Sequence, residues 1–278
     1  MYQNTGGLTS APYNSIMRRL ILTTLVLILT AAAGIRANDT TAASAMLLPP
    51  ETLHYNVMFK WGLINKKAGS ATLSLRHAPG QYHTTLTAAS EPWADRIYRV
   101  RDTLNGRMEN NAFRPLFYEK IAHEGTEYKH DRVHYDYTTP GEVVGHCSRR
   151  VFKKNELKID ETRQLEAEGS AVDMLTSFYY MRQLPFADME PGHTVSVDIF
   201  SGKQKELLTI RYVGIDPVEI DGTRHQAYHV KFLFTSKGGT KTSDDMDAWI
   251  STGERRIPLK MEGKLPVGKV RCFFAGED

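Results

Sequence analysis

Histidine and acidic side chains are the residue types in this chain that could bind a metal ion or transfer a proton. The 278 residues include ten histidines, of which His130 and His134 are four apart, as are His225 and His229. On a β-strand such pairs share a face, but they lie about 13 Å apart at a rise of ~3.3 Å per residue. One ion cannot be shared over that distance, so we interpret these histidines as solvent-facing and predict no metal site.

The acidic residues give little support for catalysis. Asp244-Asp245 with Asp247 resembles the start of a calcium loop, but the glycine and the terminal glutamate of such a loop are missing, which favours a solvated turn. The nucleophile elbow, the phosphate loop and the His-Glu-x-x-His zinc motif are all absent from the sequence. We therefore predict no catalytic residue and no cofactor. An enzyme acting on envelope polysaccharide, with Asp173 or Glu91 as the acid, is the least favoured hypothesis.

A cluster of charges runs from Asp95 to Asp102. On a strand, Asp95, Arg99 and Arg101 would share one face, and Arg96 and Asp102 the other. The pattern favours a charged surface or a structural ion-pair group. The alternative is a clamp in which the arginines bind the carboxylate of a ligand.

Aromatic side chains are the more informative residue type. Most of them are interpreted as ordinary core packing, but in a curved sheet some would line a concave apolar surface that binds an acyl chain. Our candidate wall residues for such a cavity are Trp61, Trp93, Phe178, Tyr179 and Trp249.

The elements that must position these residues are mostly strands. Apolar residues alternate with polar ones from Glu51 onward, which is typical of strands with one face in a core. Short turns separate the strands, so they must be mostly antiparallel, and Asp221-Gly222 is typical of a tight hairpin. The sequence thus predicts an all-β fold with a curved antiparallel sheet, either a half-open barrel or a sandwich. The clearest alternating runs begin at Tyr55, Ala71, Val133, Val195, Leu208 and Val230.

One segment has helical spacing instead. Ser170 and Asp173 resemble a capping box, and Pro185 closes the run that ends at Arg182. Most of the circumference of this helix is apolar, so we predict a single helix packed against the open face of the sheet.

The N-terminus predicts export. Arg18 and Arg19 precede an uncharged apolar block over residues 20–33, and small residues follow, as in a secretory signal peptide over residues 1–37. The block is short for a membrane span, which needs about 20 apolar residues, so an uncleaved anchor is the weaker alternative. Residues 1–16 precede Met17, and a mis-assigned start is one interpretation of them. We predict a periplasmic protein that is not a lipoprotein, with a linker over residues 38–50 and a single antiparallel β domain over residues 51–278.

Charge and cysteine content limit the partners. Without residues 1–37, which hold three arginines and no acid, 32 basic and 32 acidic side chains remain. This balance disfavours nucleic acid as a partner and leaves only peripheral membrane contact. Cys147 and Cys272 could form a disulfide in an oxidising compartment or remain buried thiols, and the sequence leaves both alternatives open.

Seven short motifs follow one another over most of the chain from residue 51 to residue 274. They are Tyr55-x-Val57-x-Phe59-x-Trp61-Gly62, Lys67-Ala68-Gly69-x-Ala71-Thr72-Leu73, Tyr98-x-Val100-x-Asp102, Arg114-Pro115-Leu116, Asp173-Met174-Leu175-Thr176-Ser177-Phe178-Tyr179-Tyr180-x-Arg182, Trp249-Ile250-Ser251 and Arg256-Ile257-Pro258-Leu259-Lys260. Together these stretches resemble a bacterial family of exported proteins, the domain-of-unknown-function family 3108. The resemblance implies an exported antiparallel β domain and brings no established activity. Members often carry an aspartate after the Trp-x-Ser unit, where this chain has Thr252-Gly253-Glu254.

The last two stretches are also similar to the lipoprotein-carrier proteins of the bacterial periplasm, and this similarity implies a half-open barrel whose helices cover an apolar cavity. We therefore expect a non-enzymatic protein that binds a lipid or a lipidated protein in cell-envelope maintenance. The alternative is an envelope protein-protein interaction or structural module that uses a sheet edge or face. The sequence leaves the oligomeric state open.

Overall fold

A computed structural model of the chain describes residues 47–236, 246–265 and 268–278. The predicted signal peptide over residues 1–37, most of the linker and the pair Asp244-Asp245 lie outside the described residues. In the described part, fifteen strands form one sheet and two more form a separate hairpin.

The strands of the large sheet, with the two of the hairpin, follow one another closely along the chain. In chain order they are β1 (Glu51–Trp61), β2 (Ile64–Ala78), β3 (Gln81–Ser90), β4 (Val100–Glu109), β5 (Pro115–Glu124), β6 (Glu127–Asp136), β7 (Glu142–Lys153), β8 (Glu156–Glu168), β9 (Ala171–Val172), β10 (Thr194–Phe200), β11 (Lys205–Ile215), β12 (Val218–Ile220), β13 (Thr223–His225), β14 (Ala227–Ser236), β15 (Met246–Ser251), β16 (Pro258–Lys264) and β17 (Lys269–Glu277).

The order of strands shows how the sheet closes. Strands β1 to β8 form an antiparallel meander, and β1 also pairs with β17, which joins the first half of the sheet to the second. The second half continues through β16, β15, β14, β11 and β10 to β9, which pairs with β10 in parallel. Arg163 on the edge strand β8 donates to the carbonyl of Lys203, next to β10, at 2.7 Å. The sheet is therefore a nearly closed barrel, which confirms the predicted all-β fold with a curved antiparallel sheet.

The alternation of apolar and polar residues in the sequence corresponds to alternating burial along the strands. In β1, Leu53, Tyr55 and Val57 are buried, whereas His54 and Asn56 between them are partly exposed. Successive side chains of a strand point to opposite faces, so every second residue faces the barrel interior.

The predicted hairpin turn is also confirmed. Strands β12 and β13 pair in register from Val218 to His225. Asp221 and Gly222 form the two-residue turn between them with φ values of 48° and 77°. Positive φ at both positions is what this tight turn requires, and Asp-Gly adopts it readily.

The described residues contain two α-helices, α1 (Pro92–Asp95) and α2 (Thr176–Gln183), and a 3₁₀ turn at Phe186–Asp188. Helix α2 confirms the predicted helix but begins later, because Ala171–Val172 pairs with β10 as strand β9 instead of starting the helix. The helix lies inside the barrel. Tyr179 packs with the core of the first half of the sheet, whereas Met181 packs with the core of the second half.

Polar contacts fix both ends of α2. At its start, the buried Asp173 carboxylate accepts the backbone N–H of Leu175 at 2.8 Å and of Thr176 at 2.7 Å. Near its end, the guanidinium of Arg182 donates to both carboxylate oxygens of Glu51 on β1, at 2.5 and 3.1 Å. Both of these charged side chains are completely buried. A buried bidentate pair of this kind fixes the helix at one position against the sheet.

No α-helix in the described ranges is long and apolar enough to cross a membrane.

Candidate functional site

A cavity lies in the middle of the barrel, next to α2. It has a volume of about 100 Å³. Phe178 and Met181 of the helix form one wall. The sheet contributes apolar side chains from both halves, so the cavity exists only because the two halves curve towards each other. These sheet residues include Val57, Leu86, Leu104, Leu208, Phe232, Phe234 and Met261.

A second apolar cavity, of about 70 Å³, lies beside helix α1. Trp93 of α1 forms part of its wall, and Val57 lines both cavities. The Trp93 indole N–H donates to the carbonyl of Lys67 at 2.7 Å, and the Lys66 ammonium lies 4.7 Å from the ring centre. The indole therefore has a fixed polar edge and an apolar face towards the cavity.

One wall of the mid-barrel cavity is charged. Asp102 on β4 and Lys120 on β5 both line the cavity, and they are only 6% and 4% exposed. Lys120 Nζ lies 3.5 Å from Glu124 Oε1, and Lys129 donates to the other oxygen of Glu124 at 2.6 Å. These charges face the interior because they alternate with the outward residues of β4, β5 and β6.

A second ion pair completes this charged group. On the neighbouring strands, the Arg149 guanidinium donates to Asp131 at 2.7 Å, and Asp131 pairs in register with Lys120. With Glu127, whose carboxylate lies 3.3 Å from the Lys129 ammonium, the group therefore holds four carboxyl groups and three cations. Charges so deeply buried persist only when they are paired or hydrogen-bonded.

Burial changes how these groups titrate. Burial raises the pKa of Asp102 to about 7, although the Lys120 ammonium opposes the increase; the Glu124 carboxylate adds to it. Burial also raises the pKa of Asp131, and Arg149 opposes that increase. For Lys129, burial favours the neutral amine, but the carboxylates of Glu124 and Glu127 together outweigh it and raise the pKa of the ammonium. Asp102 is therefore the member of the group that exchanges a proton near neutral pH.

The structure places the five aromatic candidates in different surroundings. Phe178 lines the mid-barrel cavity and Trp93 lines the second one. Tyr179, on the same helix as Phe178, is fully buried in the core, with its hydroxyl 3.4 Å from the carbonyl of Ser74. Trp61 is 38% exposed at the end of β1.

Trp249 packs in a cluster with Val218 and Leu259, close to the β12–β13 hairpin. Its ring stacks on His229, with the centroids 4.5 Å apart, and its indole N–H donates to Asp216 at 2.8 Å. Trp61, Tyr179 and Trp249 line neither of the two apolar cavities in the described part of the chain.

The cluster from Asp95 to Asp102 is divided between two elements. Asp95 ends helix α1, so the single strand assumed for this segment is wrong, and β4 begins only at Val100. Arg101 forms two hydrogen bonds to the carboxylate of Asp95, at 2.7 and 3.1 Å, which makes a structural ion pair. Asp102, in contrast, faces the interior, because every second residue of β4 is buried.

Sequence reasoning therefore missed Asp102 and Lys120 as cavity residues, although a signal was present. In Val100-x-Asp102-x-Leu104 the aspartate occupies an apolar position of the alternation, and Tyr118-x-Lys120-x-Ala122 repeats the pattern on β5. A charge at such a position is predicted to face the core.

The two cysteines are free thiols in this structure. Cys147 is buried in β7, whereas Cys272 in β17 is half-buried and lines the mid-barrel cavity. Burial raises the pKa of each thiol to about 12, so both remain protonated at neutral pH.

Solved structures of other proteins resemble this one to different degrees. A β-barrel-like protein of the domain of unknown function DUF1849 from Brucella abortus superposes with a TM-score of 0.58 at 10% identity, covering 84% of this chain and 99% of its own. A protein with a YmcC-like fold from Bacteroides fragilis gives 0.36 at 8% identity, over 84% and 99% of the two chains. The lipoprotein LppX of Mycobacterium tuberculosis gives 0.27 at 10% identity, over 96% of each. At such identities the Brucella likeness concerns the fold alone.

No curated protein matches the sequence. Residues 53–274 match the family DUF3108, described as a protein of unknown function. This match spans most of the chain, from β1 to β17, and includes the strands and the helix that form both cavities. The chain therefore belongs to the DUF3108 family.

Proposed function

We propose that this protein is a non-enzymatic binding protein of the periplasm that holds an apolar or lipidated ligand inside its barrel, in the maintenance of the cell envelope. The observation that carries the proposal is the mid-barrel cavity of about 100 Å³ between α2 and the sheet. Well-packed protein interiors leave few voids larger than a water molecule, so an apolar space of this size is a candidate ligand site.

The chemistry of the walls supports an acyl chain as the bound group. Leu104, Phe178, Phe234 and Met261 offer only apolar surface to the cavity. Transfer of each methylene of a chain from water to such surface contributes about 0.8 kcal/mol.

Two of the sequence candidates are proposed as wall residues. Phe178 presents its ring from α2 to the mid-barrel cavity, and Trp93 presents its ring from α1 to the second cavity. The predicted signal peptide over residues 1–37 supports export to the periplasm, where apolar molecules in transit between membranes need a binding protein. The balanced charge of the exported chain agrees with a neutral apolar ligand.

A cavity-filling variant tests the proposal directly. In Ala88→Leu the larger side chain enters the mid-barrel cavity, whose wall includes Ala88. Binding of the uncharged fluorescent probe N-phenyl-1-naphthylamine is expected to weaken at least about ten-fold, because the added leucine occupies the ligand's space. Thr87→Leu is the matched control: it lies one residue earlier on the same strand, exposed on the outer face, and should leave binding unchanged.

Two aromatic variants separate binding from folding. Phe178→Ala is expected to weaken probe binding with a modest loss of stability, because Phe178 lines the cavity and is only partly buried. Tyr179→Ala should instead lower the free energy of unfolding by about 3–5 kcal/mol, because its ring is fully buried in the core. Equal binding by the wild type, Ala88→Leu and Phe178→Ala would overturn the proposal and favour an interaction module.

A further inference from the structure

Large apolar side chains are exposed at the point where β1 turns into β2. Trp61 and Ile64 pair at the ends of the two strands, and Gly62 and Leu63 form the two-residue turn between them. Leu63 is fully exposed, Ile64 is 46% exposed and Trp61 is 38% exposed. We refer to residues 61–64 as the β1–β2 tip. Single apolar residues are ordinary on a protein surface, but several together in one turn mark an interaction site.

The β1–β2 tip is supported by regular strand pairing on both sides. Lys60 pairs with Asn65 of β2 on one side and with Lys269 of β17 on the other. The turn between β16 and β17 packs against the same place, because a side chain added to Gly268 would collide with the carbonyl of Lys60. A tip that is fixed in this way loses little conformational entropy when it binds a partner.

Lysines flank the tip without acidic neighbours. Lys60 and Lys66 lie on either side of it along the chain, and Lys264 ends the neighbouring strand β16. No acidic residue occurs between residues 60 and 67 or between residues 264 and 269. Among the residues that the structure describes, none of these three ammonium groups forms an ion pair. They are therefore available to an anionic partner.

An apolar tip with a basic rim matches the surface of a lipid bilayer. Tryptophan is enriched at the boundary between head groups and acyl chains, and lysine is attracted to anionic head groups. A stable protein interface buries about 800 Å² on each partner, and its centre is depleted of lysine. Three apolar side chains on one turn are too few for such an interface, but they suffice for shallow insertion between lipids.

We infer that the β1–β2 tip docks the protein on a phospholipid bilayer that contains anionic lipids. Trp61 and Leu63 enter the boundary between head groups and acyl chains, and Lys60 and Lys66 bind the phosphates. Phe59, two residues before Trp61 on β1, lines the second cavity, so that cavity lies next to the docked surface. The inference concerns attachment to the membrane and does not depend on a ligand inside the barrel.

Sedimentation with lipid vesicles tests this docking. The protein exported by a bacterial host is mixed with vesicles of phosphatidylglycerol and phosphatidylethanolamine, or with vesicles of phosphatidylcholine alone. It is expected to bind the anionic vesicles at least about ten-fold more tightly than the uncharged ones, and added salt should reduce this difference. Quenching of tryptophan fluorescence by brominated lipids reports insertion, and Trp61→Phe should remove most of that quenching.

A variant of the turn separates docking from folding. Leu63→Asn is expected to weaken binding to anionic vesicles about ten-fold, because it removes an apolar side chain from the inserted turn. The side chain is fully exposed, so the change should leave the urea midpoint unchanged. Ile215→Asn is the matched control: Ile215 is 53% exposed, but it lies at the end of β11, at the opposite end of the barrel.

A second variant tests the basic rim. Lys60→Gln should weaken binding to anionic vesicles about five-fold, which corresponds to ~1 kcal/mol for one lysine near such a surface. Its binding to phosphatidylcholine should not change. Arg76→Gln, which removes an exposed cation near the far end of β2, should leave both affinities unchanged.

The inference would be overturned by wild-type protein that stays in solution with anionic vesicles, or by equal binding of Leu63→Asn and Ile215→Asn. Cross-linking of the tip to an envelope protein, without any vesicle binding, would also overturn it and assign the tip to a protein partner. The proposed function is tested separately: Leu63→Asn should bind N-phenyl-1-naphthylamine as tightly as the wild type, because Leu63 lines neither apolar cavity.

Discussion

The buried carboxyl of Asp102 makes a prediction about stability that requires no ligand. Burial raises its pKa from 3.8 to about 7, against the opposing effect of Lys120. Each pKa unit corresponds to ~1.36 kcal/mol, so ionising this carboxyl in the folded protein costs about 4 kcal/mol more than in the unfolded chain.

The sign of the pH dependence follows from where the proton binds. Between pH 3.8 and about 7 the folded protein keeps the proton on Asp102 that the unfolded chain has lost. Stability therefore decreases as pH rises through this range, and the full cost applies above pH 7. An asparagine cannot ionise, and its N–H donates to Glu124 as the protonated acid does. Asp102→Asn should therefore be more stable than the wild type by up to about 4 kcal/mol at pH 8, with the gain shrinking towards pH 4.

Urea unfolding followed by tryptophan fluorescence at pH 8, 6 and 5 measures this difference, because all other titrating groups are common to both proteins. Asp160→Asn is the control: its pair with Arg150 is about half exposed, so the change should stay below about 0.5 kcal/mol at each pH. A variant that is no more stable than the wild type at pH 8, or a difference that does not change with pH, would refute the reasoning.

Three further variants test how the helix and the barrel are held. Arg182→Met leaves the Glu51 carboxylate buried without its main partner and should lower the free energy of unfolding by about 3–5 kcal/mol, and a stability near the wild type would contradict this account of the pair. Asp173→Ala removes the acceptor for the N–H groups of Leu175, just before α2, and of Thr176, its first residue. The change should cost about 1–2 kcal/mol, measured by the same urea titration, and an unchanged midpoint would exclude the cap. Gly145→Ala would place a methyl carbon 2.5 Å from a ring carbon of Phe200 and should lower the melting temperature. Gly253→Ala is the control, because its methyl group meets open space and should leave the melting temperature unchanged. Equal melting temperatures of the two variants would contradict the packing described.

The strands could be predicted from the sequence because each strand carries its own pattern. The alternation in β1 and the Asp221-Gly222 turn are local signals, and both are confirmed. The start of α2 could not be predicted in this way. Ala171-Val172 is a short apolar pair that fits a helix as well as a strand, and it becomes a strand because β10 is there to pair with it.

The site was predicted only in part, because the side of the sheet to which an aromatic ring points depends on distant contacts. Phe178 and Trp93 line cavities, but Trp249 packs with Val218 of the β12–β13 hairpin, which no local pattern at Trp249 reveals. Closure of the barrel could not be predicted for the same reason, because β1 pairs with β17, more than two hundred residues away. The position of Asp102, in contrast, could be predicted, because the alternation of β4 already places it on the buried face.

The central claim is that the barrel holds an apolar ligand, and native mass spectrometry tests it most directly. The measurement uses residues 38–278, exported in a bacterial host and purified from its envelope fraction without detergent, before and after extraction with organic solvent. The account predicts a mass above the sequence value that solvent extraction removes, with a lipid in the extract. A mass at the sequence value, together with no binding of N-phenyl-1-naphthylamine, would contradict it.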